Sequence, residues 1–216
     1  MERRIARAAG FLQELVLPVD CAGCGRAGPA LCPECRLRLR ADVTTRDLRG
    51  TAVWSALPYA GVVQPVLVAF KNEGRTGLAP PLAAALRDAV AAAVEGTSAE
   101  ALLLVPMAPT RRSRVERGYD PVRLLLRRAG LPRTDALRLA RRPEDQLRLG
   151  REERFANLEH SMTARVPLAG KRVLLVDDVV TTGATLSEAA RCVRDAGGEV
   201  LGAATVASTP RSVRER

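Results

Sequence analysis

The stretch from Val173 to Thr185, VLLVDDVVTTGAT, constrains this chain more than any other. Val173 to Val176 make an uninterrupted apolar run, the pattern of a parallel strand buried on both faces. Asp177 and Asp178 follow where such a strand is expected to end. The residues behind them, Thr181, Thr182, Gly183, Ala184 and Thr185, are small or carry hydroxyls. A helix is expected to open at once, because Thr185-Leu186-Ser187-Glu188 has capping-box spacing. Leu186, Ala189, Ala190 and Val193 recur at helical spacing, and Gly197-Gly198 supplies the stop.

This order of parts describes an anion site beside a diol site. Loop amides and the unpaired N–H groups of a helix start converge on one point, where the helix dipole favours negative charge. Gly183 lets the backbone approach closely, and the threonine hydroxyls add donors. The two carboxylates can accept hydrogen bonds from sugar hydroxyls or hold a hard cation through water. A ligand bearing both a phosphate and a ribose satisfies both halves. A plain buried strand with a polar turn accounts for parts of the string but not for all of it. No Gly-Lys-Ser/Thr follows, so it is not a Walker loop. The string resembles the phosphoribosyl pyrophosphate (PRPP) signature of type I phosphoribosyltransferases.

At 216 residues the chain suits one substantial domain with a small appendage. The boundary is expected near residue 45, with residues 1–45 in front and 46–216 as the main domain. Hydrophobic residues make up 47% but aromatics only 3%, so the core must be built from Leu, Val and Ala. The formal charge of +10 favours anionic partners such as phosphates or nucleic acid. Nearly all of that basic charge is arginine, since Lys71 and Lys171 are the only lysines. No apolar run approaches the roughly 18 residues needed to span a bilayer. Gln13 and Glu14 interrupt the apolar stretch that a signal peptide would need. The expectation is a cytoplasmic protein.

Taken in order, Ile5, Ala8, Ala9, Leu12, Leu15 and Val16 predict an amphipathic helix over residues 2–17. Cys21-x-x-Cys24 and Cys32-x-x-Cys35 follow. Each pair can form a knuckle, and two knuckles complete a tetrahedral four-cysteine zinc site. Gly23, Gly25 and Gly28 relieve the tight turns. Disulfides and a redox pair are the competitors. An intracellular chain disfavours stable disulfides, and a redox motif does not need two copies. The zinc would be structural, because all four ligands come from protein.

Residues 36–50 read as a charged connector, Thr51–Ala60 as a first strand and Trp54 as a packed aromatic. A short helix from Gly61 carries Val62, Val63, Val66, Leu67 and Phe70 and ends near Lys71. Pro80–Val94 reads as a second helix, Ala101–Val105 as a central strand and Pro121–Ala129 as a further helix. The cluster Arg111, Arg112, Arg114 and Arg117 lies just past the Ala101–Val105 strand, where ligand crevices of parallel sheets form. Arginine forks there suit a pyrophosphate, though a solvated basic helix face gives the same pattern. Ala136–Ala140 suggests a short strand. Arg141–Arg154, dense in charge, is either a surface loop or a lid. His160 reads as a surface residue and Cys192 as a packing residue. Glu199–Ser208 is the last strand.

Together these features resemble the ComF family, the competence protein F or ComFC-like group of the type I phosphoribosyltransferase superfamily. The likeness runs through the cysteine pairs, Lys71-x-x-Gly74, Val105-Pro106, Arg117-Gly118-Tyr119, Gln146 with Arg154 and Asn157, and Asp177 to Thr185. It implies an α/β fold, a parallel sheet flanked by helices, behind a small four-cysteine zinc module. It also implies PRPP bound with Mg²⁺. Thr181, Thr182, Gly183, Ala184 and Thr185 would hold the 5′-phosphate, Asp177 and Asp178 the ribose hydroxyls, and Arg111 and Arg112 the pyrophosphate. Asp177, Asp178 and Arg154 are the expected catalytic residues. A nitrogen acceptor would receive the phosphoribosyl group. The likeness further implies a link to natural transformation, with single-stranded DNA or competence proteins as partners. A non-catalytic DNA-handling adaptor and a PRPP-sensing regulator are the alternatives on the same fold. The chain departs from the family at Asp120-Pro121, which places a negative charge near the proposed pyrophosphate turn. It departs also at Pro143-Glu144-Asp145-Gln146 and at Ser161-Met162.

Overall fold

The computed structural model describes residues 20–98, 100–108, 118–139 and 161–210. The predicted helix over residues 2–17 lies outside them. The described elements are α1 (Pro33–Leu37), β1 (Thr44–Asp47), β2 (Ala52–Pro58), α2 (Val63–Asn72), α3 (Ala79–Val94), β3 (Leu102–Pro106), α4 (Pro121–Ala129), β4 (Leu137–Leu139), β5 (Met162–Ala164), β6 (Arg172–Val180), α5 (Ala184–Asp195) and β7 (Glu199–Ser208). A main sheet runs in the order β1-β2-β7-β6-β3. β2, β7, β6 and β3 are parallel, and β1 closes one side antiparallel to β2. β4 and β5 form a separate antiparallel pair.

Alternation along β6 divides the core into two layers. Leu174 and Val176 join the residues of α2, α3 and α4, while Val173 and Leu175 join Leu186, Ala189, Ala190 and Val193 of α5. All four residues from Val173 to Val176 are fully buried, as the apolar run requires. Leu and Ala fill α3, where Leu82, Leu86 and Ala89 have no exposure. With the 3-10 turn before it, Thr76–Val94 is a 19-residue segment long and apolar enough to cross a bilayer by length and composition. That corrects the expectation that no segment reaches such a length. Here the segment packs its apolar side on β2 and β7 and turns Arg87 and Asp88 outward, as a core helix does.

Two placements differ from expectation. The "connector" 36–50 contains β1, which pairs residue for residue with β2, Thr44 opposite Ser55 and Asp47 opposite Ala52. β1 is mostly exposed, so it carries no apolar alternation to announce it. The strand predicted as central, β3, ends the sheet, pairing with β6 alone among the described strands. Its outer side is met by the segment after α4, whose Thr134 N–H donates to the Leu104 carbonyl at 2.8 Å. Asp120 caps α4: its carboxylate accepts the Arg123 N–H at 3.1 Å, and Pro121 occupies the first turn, where a missing N–H costs nothing.

Candidate functional site

The acidic pair sits inside β6, not past its end. Asp177 lies opposite Thr205 and Val179 opposite Ala207, so the ladder with β7 continues to Val180. The Asp178 carboxylate is 8% exposed and accepts two bonds on Oδ1, from Lys71 Nζ at 2.9 Å and from the Val179 N–H at 2.7 Å. The Asp178 N–H donates to Asp177 Oδ1 at 2.8 Å. Burial pushes the Asp177 carboxyl up to about 8, and the neighbouring Asp178 carboxylate adds to the rise. The Asp178 N–H and the Lys71 charge oppose that rise without cancelling it.

Beyond Val180 the chain turns through Gly183, which takes the left-handed conformation at φ 76° and serves as the N-cap of α5. A Cβ there would lie 3.2 Å from Leu48 Cβ, so the position needs glycine for its conformation and for the close approach of Leu48. The Ser187 N–H donates to the Gly183 carbonyl at 2.8 Å, while Thr181, Thr182 and Thr185 stand exposed. The capping box is not formed. With Gly183 as N-cap the third helical position is Leu186, so Glu188 falls too far along to reach back. Glu188 instead is buried, accepts the Met162 N–H at 3.0 Å and pairs through both oxygens with Arg191 at 2.7 and 2.8 Å. It thereby ties β5 to the helix that follows the hydroxyl loop.

Two cations complete this corner. Lys71 comes from the last turn of α2. Arg46 of β1 donates from Nη1 to the Thr209 carbonyl at 3.0 Å and from Nη2 to the Thr181 carbonyl at 3.4 Å, bracing the start of the loop. The sequence assigned neither a role. The signal for Lys71 was its rarity in an arginine-rich chain, together with its place in the Lys71-x-x-Gly74 likeness. Arg46 left none. Arg111, Arg112 and Arg154 lie outside the described residues, as do Arg117, Gln146, Asn157 and His160.

The four cysteines converge. The sulfurs of Cys21, Cys24, Cys32 and Cys35 all lie within 4.8 Å of one another, Cys24 and Cys32 at 3.9 Å. A tetrahedral metal with bonds of about 2.3 Å sets its sulfurs about 3.8 Å apart, so the group fits a thiolate-bound metal. The Cys32 N–H points at Cys21 Sγ at 3.3 Å and the Cys35 N–H at Cys32 Sγ at 3.4 Å. Burial works against the Cys21 thiolate, but the N–H groups of Cys32, Gly23 and Cys24 outweigh it and bring the thiol down to about 6. The Arg26 side chain lowers Cys24, whereas burial and the other sulfurs push Cys35 up to about 12. A Cβ on Gly23 would lie 2.7 Å from Cys35 Sγ, which accounts for the glycine inside the first pair.

Residues 116–216 match the phosphoribosyl transferase domain family. Orotate phosphoribosyltransferase of Mycobacterium leprae (strain TN) is 56% identical over 39 residues, 18% of this chain and 22% of that protein. The Xylella fastidiosa (strain M12) enzyme of the same name is 38% identical over 78 residues, 35% of this chain and 36% of that protein. The chain thus spans between about a fifth and a third of these curated relatives' length. Adenine phosphoribosyltransferase from Rhodothermus marinus DSM 4252 superposes over 82% of this chain and 88% of its own, with 22% identity and a TM-score of 0.35. At that score the superposition carries no weight. Over residues 116–216 the chain is similar to the phosphoribosyl transferase domain family, and the acidic pair and the hydroxyl loop lie inside that match.

Proposed function

We propose that the chain binds PRPP with Mg²⁺ and transfers its phosphoribosyl group to a nitrogen acceptor, as a ComF-like phosphoribosyltransferase. The observation that carries this is the meeting of the Asp177–Asp178 pair with the Gly183 turn at the carboxyl end of β6, inside the matched residues. In this reading Thr181, Thr182, Gly183, Ala184 and Thr185 receive the 5′-phosphate on backbone N–H groups and hydroxyls. Asp177 and Asp178 accept the ribose hydroxyls. The bond from C1′ to the pyrophosphate oxygen breaks, a bond from C1′ to the acceptor nitrogen forms, and the acceptor gives up a proton. Positive charge grows on the ribose as that bond breaks, and the nearby carboxylates stabilise it. Mg²⁺ would supply charge neutralisation on the departing pyrophosphate. Arg111, Arg112 and Arg154 are proposed to cover the same group. Zn²⁺ is the proposed occupant of the four cysteines, with a structural role.

Calorimetric titration with Mg-PRPP tests the binding step, and pyrophosphate release with a panel of bases and amines tests transfer. Replacing Asp177 and Asp178 with Asn is expected to abolish Mg-PRPP binding in a folded chain; undiminished affinity sinks the assignment. The ComF likeness also links the chain to single-stranded DNA and competence proteins. Oligonucleotide affinity that falls steeply with salt supports that part, and affinity indifferent to salt refutes it.

A further inference from the structure

We infer that Lys71 is a positioning residue of the acidic pair, an internal cation that fixes Asp178 and sets the charge a ligand meets. The inference rests on the reading of that pair as a ligand site. Lys71 Nζ lies 2.9 Å from Asp178 Oδ1, with the lysine 26% and the aspartate 8% exposed. A pair this sheltered is not the screened surface contact that contributes little.

α2 does not need this bond to stay in place. Val66, Leu67 and Phe70 are fully buried, the Phe70 and Tyr119 rings meet edge to face at 5.8 Å, and the Tyr119 hydroxyl donates to the Phe70 carbonyl. The position would tolerate an apolar or neutral side chain if only the fold mattered. What Lys71 adds is charge at one spot. Without it, two adjacent carboxylates would face each other and any phosphorylated ligand.

The choice of lysine also tells. Nearly every other basic residue in the chain is arginine. An arginine fork would clamp both carboxylate oxygens, whereas an ammonium on a flexible stem holds one and can turn toward a phosphate oxygen. Both bonds to Asp178 fall on Oδ1, so the carboxylate is oriented by one oxygen and can offer the other to a diol or cation.

The test uses the full chain and two titrations: calorimetry with Mg-PRPP, and Mn²⁺ alone followed by its electron paramagnetic resonance signal. Lys71→Met is expected to weaken Mg-PRPP binding roughly ten-fold, the scale of one hydrogen bond to a charged group. The same change is expected to tighten Mn²⁺ binding several-fold, because Asp178 loses its standing partner. A merely structural lysine would weaken both. Adding Asp178→Asn should cancel the Mn²⁺ gain. Lys71→Gln serves if Lys71→Met does not fold. Variants equal to the unmodified chain in the Mn²⁺ titration overturn the inference. An unmodified chain that ignores Mg-PRPP but keeps the Mn²⁺ effect of Lys71 sinks the ligand reading alone.

Discussion

Asp177 carries the sharpest pH consequence. Its carboxyl is raised from 3.8 to about 8 in the folded chain. Between those values the folded state holds a proton that the unfolded state has lost, so stability falls as pH rises through that window and levels off above it. Asp177→Asn removes the titration; the melting temperature of the variant, compared with the unmodified chain from pH 5 to 8, should show a gap that widens in the variant's favour. Gly183 gives a second prediction. Alanine there must hold a left-handed backbone and press on Leu48, and is expected to cost at least about 1–2 kcal/mol in chemical denaturation. Pairing it with Leu48→Ala should restore part of that loss. The acidic pair and the hydroxyl loop were legible from residue type and order, because their chemistry is written in adjacent positions. Lys71 and Arg46 were not, since their partners lie 107 and 135 residues away along the chain and only the folded sheet brings them together.

Among the elements, those with marked ends were legible. Pro121–Ala129 has a proline in its first turn and Gly130 in the left-handed conformation behind its last. Gly197, at φ 82°, closes α5 with its N–H on the Arg194 carbonyl. β1 was hidden because a strand at the side of a sheet, exposed on most positions, looks like a polar loop in sequence. The capping-box spacing misled because it ignored which residue could take the left-handed turn; Gly183 could, and the helix frame followed it. The glutamate set free by that shift joins two elements. Glu188→Ala leaves the Met162 N–H without its acceptor and Arg191 with Asp195 alone, and is expected to cost about 1–3 kcal/mol, the scale of a buried donor left unpaired. Hydrogen exchange at the Met162 amide should quicken in the same variant, and unchanged protection there would contradict the tie.

At the scale of the molecule, the cysteine cluster and the acidic pair share one helix. Cys21, Leu31, Cys35 and Leu39 lie in the same buried cluster as Val63, Val66, Leu67 and Phe70 of α2. The Arg75 guanidinium, just past that helix, donates to the carbonyls of Asp20 at 2.7 Å and Ala30 at 3.2 Å. Lys71 leaves the last turn of the same helix for Asp178. Cys24→Ser with Cys32→Ser is therefore expected to lower both the melting temperature and the affinity for Mg-PRPP. The affinity loss should shrink when Lys71 is already Met, since coupled sites do not add; full additivity would show that the cysteine cluster and the acidic pair are independent.

That shared helix makes the cysteine cluster a handle on the acidic pair of β6. A chelator stripping the proposed metal, or an oxidant of the thiols, would on the proposed reading weaken Mg-PRPP binding without ever entering the sheet. Because such coupling is reciprocal, saturating ligand should in turn slow the reagent's attack on the cysteines, the signature of control exerted from behind the binding surface.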